Sequence, residues 1–256
     1  MPTYRDEGVV LRTHKLGEAD RIVTLLSRRH GKVRAVARGV RRTSSKFGGR
    51  LEPFQHIDIQ FAQGHGLDIV TQAVSLHSSS LGADYSRFTA AQVLVETAER
   101  LVAEEGVPSL QQYRLLLGAL LALDAEDRPA PLIVDSYLLR ALAIAGYALA
   151  TEACAGCGDV DVRWFSPQGG GAVCTACRTP GSAQLYPGDS AYLGALLGRR
   201  GSRDRRLRQA PRENEQSRHA QTPPCEGHRM RIAPERQKPG HAAAKKKGEH
   251  EGDSRR

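Results

Sequence analysis

Aromatic residues are scarce in this 256-residue chain, at 5% of the sequence, and this scarcity argues against a large aromatic-lined pocket for a small-molecule substrate. Long apolar runs are also missing. The most apolar stretch, residues 129–150, is interrupted by Asp135 and Arg140, which is typical of a buried helix and not of a membrane span. No apolar secretory signal is visible at the N-terminus, so we expect a cytoplasmic protein without membrane contact.

Motifs of catalysis and nucleotide binding are missing as well. The sequence has no Walker loop and no helix-turn-helix, and the segment from Gly64 to Gly66 is interpreted as a turn. The histidines of the first 80 residues stand among few carboxylates, and no Ser/His/Asp arrangement is recognisable. We therefore expect a protein that is not an enzyme.

The net charge of +9 is distributed unevenly along the chain. Residues 1–80 hold 13 Lys and Arg against 7 Asp and Glu, a net of +6, whereas residues 81–198 hold 7 against 13, a net of −6. Residues 199–256 hold 17 against 8, a net of +9. A basic first segment favours a polyanion such as nucleic acid as partner, although ordinary surface charge would give the same count.

Strand-like patterns occur in five short segments of residues 1–80. Apolar residues alternate with polar ones, as half-buried strands require, and tight turns separate the segments. Such a series predicts a small closed barrel, for which a five-stranded OB-fold is the leading interpretation and an SH3-like barrel the alternative. The strands are predicted at residues 6–13, 21–27, 32–40, 55–61 and 67–74.

Apolar residues recur at helical spacing after residue 80 and predict an α-helical domain over residues 81–198. The first helix is expected to begin after Asp84 or Ser86 and to end at Gly106. Two longer helices follow Pro108 and Pro131, and a short one is predicted at 189–198. The fold class is therefore α+β.

From Arg199 onward the sequence is charged and has few large apolar residues. Such a segment buries too little apolar surface to offset the entropy lost on ordering, so residues 199–256 are predicted to form a disordered basic tail. Whether this tail holds DNA loosely or is solvated without a function stays open.

Four cysteines form two Cys-x-x-Cys pairs separated by sixteen residues. Four thiolates around one tetrahedral ion leave no open coordination position, which is typical of a structural zinc site. Disulfides are disfavoured without a secretory signal, and a redox Cys-x-x-Cys motif normally occurs once. We therefore predict one structural zinc ion in a module at residues 154–177, bound by Cys154, Cys157, Cys174 and Cys177.

Basic side chains cluster on the third predicted strand and in the polar loop after it. A barrel with a basic face can follow a phosphate backbone, which favours salt-sensitive binding without base-specific readout. For base stacking only Phe47, Phe54 and Phe61 are available, and Phe61 is expected to face the core. The predicted DNA-contacting residues are Arg12, Lys15, Arg21, Lys32, Arg34, Arg38, Arg41, Arg42, Lys46 and Arg50.

Four runs of residues form a recognisable pattern in the first module: Glu7 to Arg12, Gly17 to Leu26, His30 to Arg42 and Gly49 to Phe54. Together with the four-cysteine segment, these runs resemble the bacterial RecO family of DNA repair proteins over roughly residues 3–198. Family members continue after the cysteines with apolar helices. Here the pattern changes near Gly198, so those closing helices are expected to be missing.

The resemblance implies a DNA repair and recombination protein that acts without ATP hydrolysis. Family members bind single- and double-stranded DNA, anneal complementary strands and work with the partner protein RecR. They help to load recombinase onto DNA coated by single-strand-binding protein, and several contact the acidic C-terminal tail of that protein. A cytoplasmic, nucleoid-associated protein is implied, with Arg34, Arg38, Arg41 and Arg42 as DNA contacts.

Two other functions remain open from the residues alone. A zinc-ribbon module of transcription or RNA metabolism would prefer RNA over DNA in competition. An interaction scaffold whose barrel binds protein would keep its binding after Arg38 and Arg41 are changed to Ala.

Overall fold

The computed structural model describes residues 1–198, and these residues belong to one compact unit. The predicted disordered tail, residues 199–256, lies outside the described residues. Within residues 1–198, no helix combines the length and the apolar character needed to cross a membrane.

Five strands form a closed barrel in the order β1-β2-β3-β5-β4. Neighbouring strands are antiparallel except β3 and β5, which close the barrel through a short parallel pairing of Ala35 with Asp68 and Val36 with Ile69. The predicted five-stranded OB-like barrel is therefore confirmed. The strands are β1 (Thr3–Leu16), β2 (Asp20–Ser27), β3 (Gly31–Ala37), β4 (His56–Ala62) and β5 (Asp68–His77).

The interior of the barrel is filled by alternate side chains of all five strands and by two residues of the loop between β3 and β4. Phe61 faces this core, as expected, and Phe47 and Leu51 anchor the loop on it. Phe54 is also buried, in a second core against the helices. None of the three phenylalanines considered for base stacking is therefore exposed. The side chains of the inner core include Val10, Val23, Leu25, Val33, Ile57, Ile59 and Val70.

Three longer helices and a short one follow the barrel. Asp84 caps the first helix, since its carboxylate accepts from the backbone N–H of Arg87 at 2.8 Å. That helix ends at Leu101 and not at Gly106, because residues 105 and 106 join the edge of β3 instead: the N–H of Gly106 donates to the carbonyl of Lys32 at 3.0 Å. The helices are α1 (Tyr85–Leu101), α2 (Leu110–Asp124), α3 (Ala130–Ile144) and α4 (Asp189–Leu197).

A second core joins the outer face of the barrel to the helices. Val9, Leu11 and Leu26 point outward from β1 and β2 and belong to the same buried cluster as Leu94 of α1 and Leu116 of α2. Burial of these side chains stabilises the contact by the hydrophobic effect, at about 1.5–3 kcal/mol for each fully buried aliphatic side chain. The barrel is thereby covered by helices on this face.

The turn between β2 and β3 lies directly against the backbone that joins α1 to α2. Gly31 has a φ of +64°, and a Cβ atom there would stand 1.8 Å from the carbonyl oxygen of Val107. Only glycine permits both this left-handed conformation and this close approach. Gly31 is therefore a structural requirement of the contact between the barrel and the helices.

We expect Gly31→Ala to lower the free energy of unfolding by about 2–5 kcal/mol, because it adds a clash to a strained conformation. Gly66→Ala is the matched control, since Gly66 has open space around it and no left-handed φ. Thermal unfolding followed by circular dichroism measures both. Equal melting temperatures for the two variants would contradict the role of Gly31.

A buried carboxylate organises the same turn. The side chain of Asp6 is fully shielded from solvent and accepts hydrogen bonds from the backbone N–H of Arg29 at 3.0 Å and from Nδ1 of His30 at 2.7 Å. It also accepts from the N–H groups of Glu7 and His30. Burial raises the pKa of Asp6, but these donors together outweigh it and hold the pKa below its ordinary value.

A depressed folded-state pKa means that the stabilisation from Asp6 is present above the unfolded-state pKa, about 3.9, and is lost as pH falls through the folded-state value. We expect Asp6→Asn to cost about 1–3 kcal/mol at pH 7, because an amide cannot accept from all these donors. The difference from wild type should shrink below about pH 4. Urea unfolding at several pH values measures it, and a pH-independent difference would contradict the assignment.

Candidate nucleic-acid interface and metal centre

The four cysteines lie in a small three-stranded sheet after α3. Its strands are β6 (Trp164–Ser166), β7 (Gly171–Val173) and β8 (Ala183–Gln184), with β6 in the middle. Between the two cysteine pairs, β6 and β7 form an antiparallel hairpin. Cys154 and Cys157 lie on the turn before the sheet, where Gly158 has a φ of +80° and the N–H of Gly158 donates to the carbonyl of Cys154 at 2.8 Å.

The four thiols converge on one point. Their Sγ atoms all lie within 4.8 Å of one another, and those of Cys157 and Cys174 are 3.7 Å apart. Four Zn–S bonds of about 2.3 Å in a tetrahedron would place the sulfur atoms about 3.8 Å apart. The cluster can therefore hold a metal ion, and its size fits a tetrahedral one.

The backbone around the cluster favours thiolates. The N–H of Cys174 donates to Sγ of Cys154 at 3.3 Å, and this bond, with those from the N–H groups of Cys157 and Gly156, lowers the pKa of Cys154 to about 6. Hydrogen bonds to the neighbouring sulfurs, those of Cys157 and Cys154 first, raise the pKa of Cys177 to about 12. Four thiols this close cannot all ionise unless a cation compensates their charge, which is the chemistry of a metal site.

Backbone contacts connect this module to the end of the helical region. Gly171 lies so close to Ala150 that a Cβ atom would stand 2.3 Å from the carbonyl oxygen of Ala150. The N–H of Ala172 donates to that oxygen at 2.8 Å. Within the module, the guanidinium of Arg178 covers the ring of Trp164 at 3.8 Å from its centroid. The contacts at Ala150 fix the module to the rest of the fold.

The ten predicted DNA-contacting residues fall into two groups according to where they lie on the barrel. Six are exposed at the loop between β3 and β4 or at the adjacent β1–β2 turn: Lys15, Arg38, Arg41, Arg42, Lys46 and Arg50. We call residues 38–50 the basic loop. It contains five Lys and Arg and no Asp or Glu.

No side chain of this first group is neutralised by a carboxylate within residues 1–198. Arg41 donates to the carbonyl of Glu18 at 2.9 Å, and Lys46 donates to that of Thr71 at 3.0 Å. Such contacts orient a side chain but leave its charge uncompensated. The basic loop is therefore an exposed cationic surface on an anchored base.

The second group lies on strands β1 to β3: three arginines, Arg12, Arg21 and Arg34, pair with carboxylates, and Lys32 donates to a backbone carbonyl. Arg12 pairs with Glu99 of α1 at 2.7 Å, and Arg34 pairs with Glu105 at 3.5 Å.

Arg21 pairs with Glu52 at 2.5 Å, and Nζ of Lys32 donates to the carbonyl of Ala103 at 2.6 Å. Their partners lie 31 and 71 residues away, so no local pattern in the sequence could have revealed these contacts.

Comparison with known proteins shows that the barrel and the helical region both match models of one protein family. Residues 1–79 match the family model for the recombination protein O N terminal, and residues 82–213 match the one for its C terminal.

Proteins called DNA repair protein RecO are similar to this chain. One from a Nocardioides species is 58% identical over 200 residues, covering 76% of this chain and 82% of the relative. One from Cutibacterium acnes is 54% identical over 204 residues, covering 77% and 83%. One from Thermobifida fusca is 54% identical over 200 residues, covering 77% and 82%.

Proposed function

This chain belongs to the RecO family of DNA repair proteins, and on that premise we propose that it binds single- and double-stranded DNA and anneals complementary strands without ATP. The observation that carries this proposal is the basic loop. Its five cations stand on an OB-like barrel, and no carboxylate of the described residues neutralises them. Phosphate groups are the ligands that such a surface attracts.

The mode of binding that this surface supports is electrostatic. Phe47, Phe54 and Phe61 are buried, so stacking of bases on these rings is not supported. Contacts to phosphates carry no sequence information. Binding should therefore depend little on sequence and strongly on salt, as strand annealing requires of a protein that acts on any pair of complementary strands.

We further propose the mediator role for which the family is known. In this role the chain would work with RecR and the C-terminal tail of single-strand-binding protein to load recombinase onto coated DNA, as a non-enzymatic protein of the cytoplasm associated with the nucleoid. The proposed division is a DNA-binding domain at residues 1–80, a helical domain with the metal module at 81–198, and a tail at 199–256.

For the metal centre we propose a single structural zinc ion held by the two cysteine pairs. Four sulfur ligands close the coordination shell, so the ion would supply no reaction chemistry and would instead fix the turn at Cys154 to the hairpin at Cys174. The fit of the sulfur spacing to a tetrahedral ion supports this proposal.

Metal analysis of protein purified without chelator should find about one zinc per chain. Cys154→Ser should remove the metal and lower the melting temperature, because the remaining thiolates lose their shared cation. Cys225→Ser is the control and should keep the metal, because the four thiolates of the cluster already close a tetrahedral shell. Protein without zinc, or zinc retained in Cys154→Ser, would overturn the assignment.

Changing Arg38, Arg41 and Arg42 together to Ala should weaken binding of a labelled oligo-dT on the order of a hundredfold at 0.1 M NaCl. Three lost phosphate contacts should also reduce the slope of log K against log salt by about 2. Fluorescence anisotropy measures binding. A quenching assay with complementary strands measures annealing, which wild type should accelerate without ATP.

The matched control changes Arg5, Arg100 and Arg163 together to Ala. These residues carry the same total charge, but each is exposed and pairs with a carboxylate: Asp58, Glu96 and Asp161, respectively. The control should bind nearly as well as wild type. Equal losses of affinity in both triple variants would assign the effect to net charge and not to the basic loop. Wild type that does not bind DNA would refute the proposed function.

A further inference from the structure

Arg12 and Arg34 lie in one row across three strands of the barrel. Arg12 of β1 pairs with Thr24 of β2, and Thr24 pairs with Arg34 of β3. Residues paired across antiparallel strands point to the same face of a sheet. Since neighbouring strands are about 4.8 Å apart, the Cα atoms of the two arginines are about 10 Å apart, and both side chains lie on the outer face. We call Arg12 and Arg34 the arginine row.

Each arginine of this row meets a carboxylate from the helical region. Glu99 approaches from the last turn of α1, and Glu105 approaches from the segment after it. Glu105 is held in place by the backbone, since residues 105 and 106 bridge to Lys32 on the edge of β3. The fold therefore places one carboxylate next to each arginine of the row.

These two ion pairs add little to the contact between barrel and helices. Arg12 is 51% exposed and Arg34 is 40% exposed, and ion pairs in contact with solvent are weak. The buried cluster around Leu26 and the backbone bridge at Lys32 hold the helices in any case. The hydroxyl of Thr24, between the two arginines, is buried without a hydrogen-bond partner among the described residues, so the centre of the row adds no polar contact.

We infer that Glu99 and Glu105 limit the DNA interface by occupying the arginine row, so that phosphates are confined to the basic loop. This inference rests on the proposed DNA binding. A carboxylate and a phosphate compete for the same guanidinium, because both are anions that accept its N–H groups. The two glutamates are thus specificity-determining residues that set the extent of the site and its salt dependence.

The test is the double variant Glu99→Gln, Glu105→Gln, which removes both charges and keeps side-chain size and the backbone bridge. It should bind labelled oligo-dT about tenfold more tightly than wild type at 0.1 M NaCl, with the gain vanishing towards 1 M. Two added phosphate contacts should make the slope of log K against log salt steeper by about 1.4. Anisotropy titrations at several salt concentrations measure both quantities.

Two further variants isolate the cause. Glu96→Gln with Glu126→Gln changes the net charge by the same amount, but these glutamates pair with Arg100 and Arg87, which are not on the barrel. This control should leave the slope unchanged. Adding Arg12→Ala and Arg34→Ala to the test variant should abolish its gain. The single variant Glu105→Gln gives about half of the change in slope if the double variant folds poorly.

The outcomes separate this inference from the function on which it rests. Wild type that binds DNA, with no tighter binding in the test variant, overturns the inference and leaves the proposed function standing. An equal gain in the control variant also overturns it, because long-range charge would then be the cause. Wild type that does not bind DNA refutes the proposed function itself.

Discussion

The close approach of the backbone of Val107 to the turn at Gly31 is the constraint on which the arrangement of this protein depends. It can form only because Gly31 has no side chain, and it places the segment after α1 along the edge of β3. The apolar outer faces of β1 and β2 are then buried against α1 and α2. One face of the barrel is thereby closed by helices, and the cations on that face meet carboxylates.

The loop between β3 and β4 lies away from this contact, and its cations do not meet carboxylates of the described residues. Phe47 and Leu51 anchor this loop in the inner core, so its five cations are held on a fixed base. No acidic residue lies within the loop, and no described carboxylate pairs with its cations. The barrel thus has one cationic surface without carboxylate partners among the described residues and one whose arginines pair with carboxylates, although both come from adjacent stretches of sequence. The proposed DNA-binding role follows from this division more than from the total charge.

The candidate metal centre is formed by local contacts. One cysteine pair lies on a turn and the other at the end of a hairpin. The backbone of these two short segments brings the four sulfur atoms within 4.8 Å of one another. This geometry depends on glycines with left-handed or crowded positions, such as Gly158 and Gly171. The module then needs only a few backbone contacts to Ala150 to be fixed to the helices.

Local patterns in the sequence were sufficient for the five strands, the capped start of α1 and the four cysteines that come together. Alternation, capping and Cys-x-x-Cys spacing act over a few residues, and the residues alone express them. The predicted end of α1 at Gly106 was too late. The helix ends at Leu101, because residues 105 and 106 pair with the backbone of Lys32 in β3. Only the tertiary structure decided which cations pair with a carboxylate. Arg34 and Arg38 look alike in the sequence, but a carboxylate 71 residues away meets Arg34, and none of the described ones meets Arg38. Long-range packing brings such partners together, and no short pattern records it.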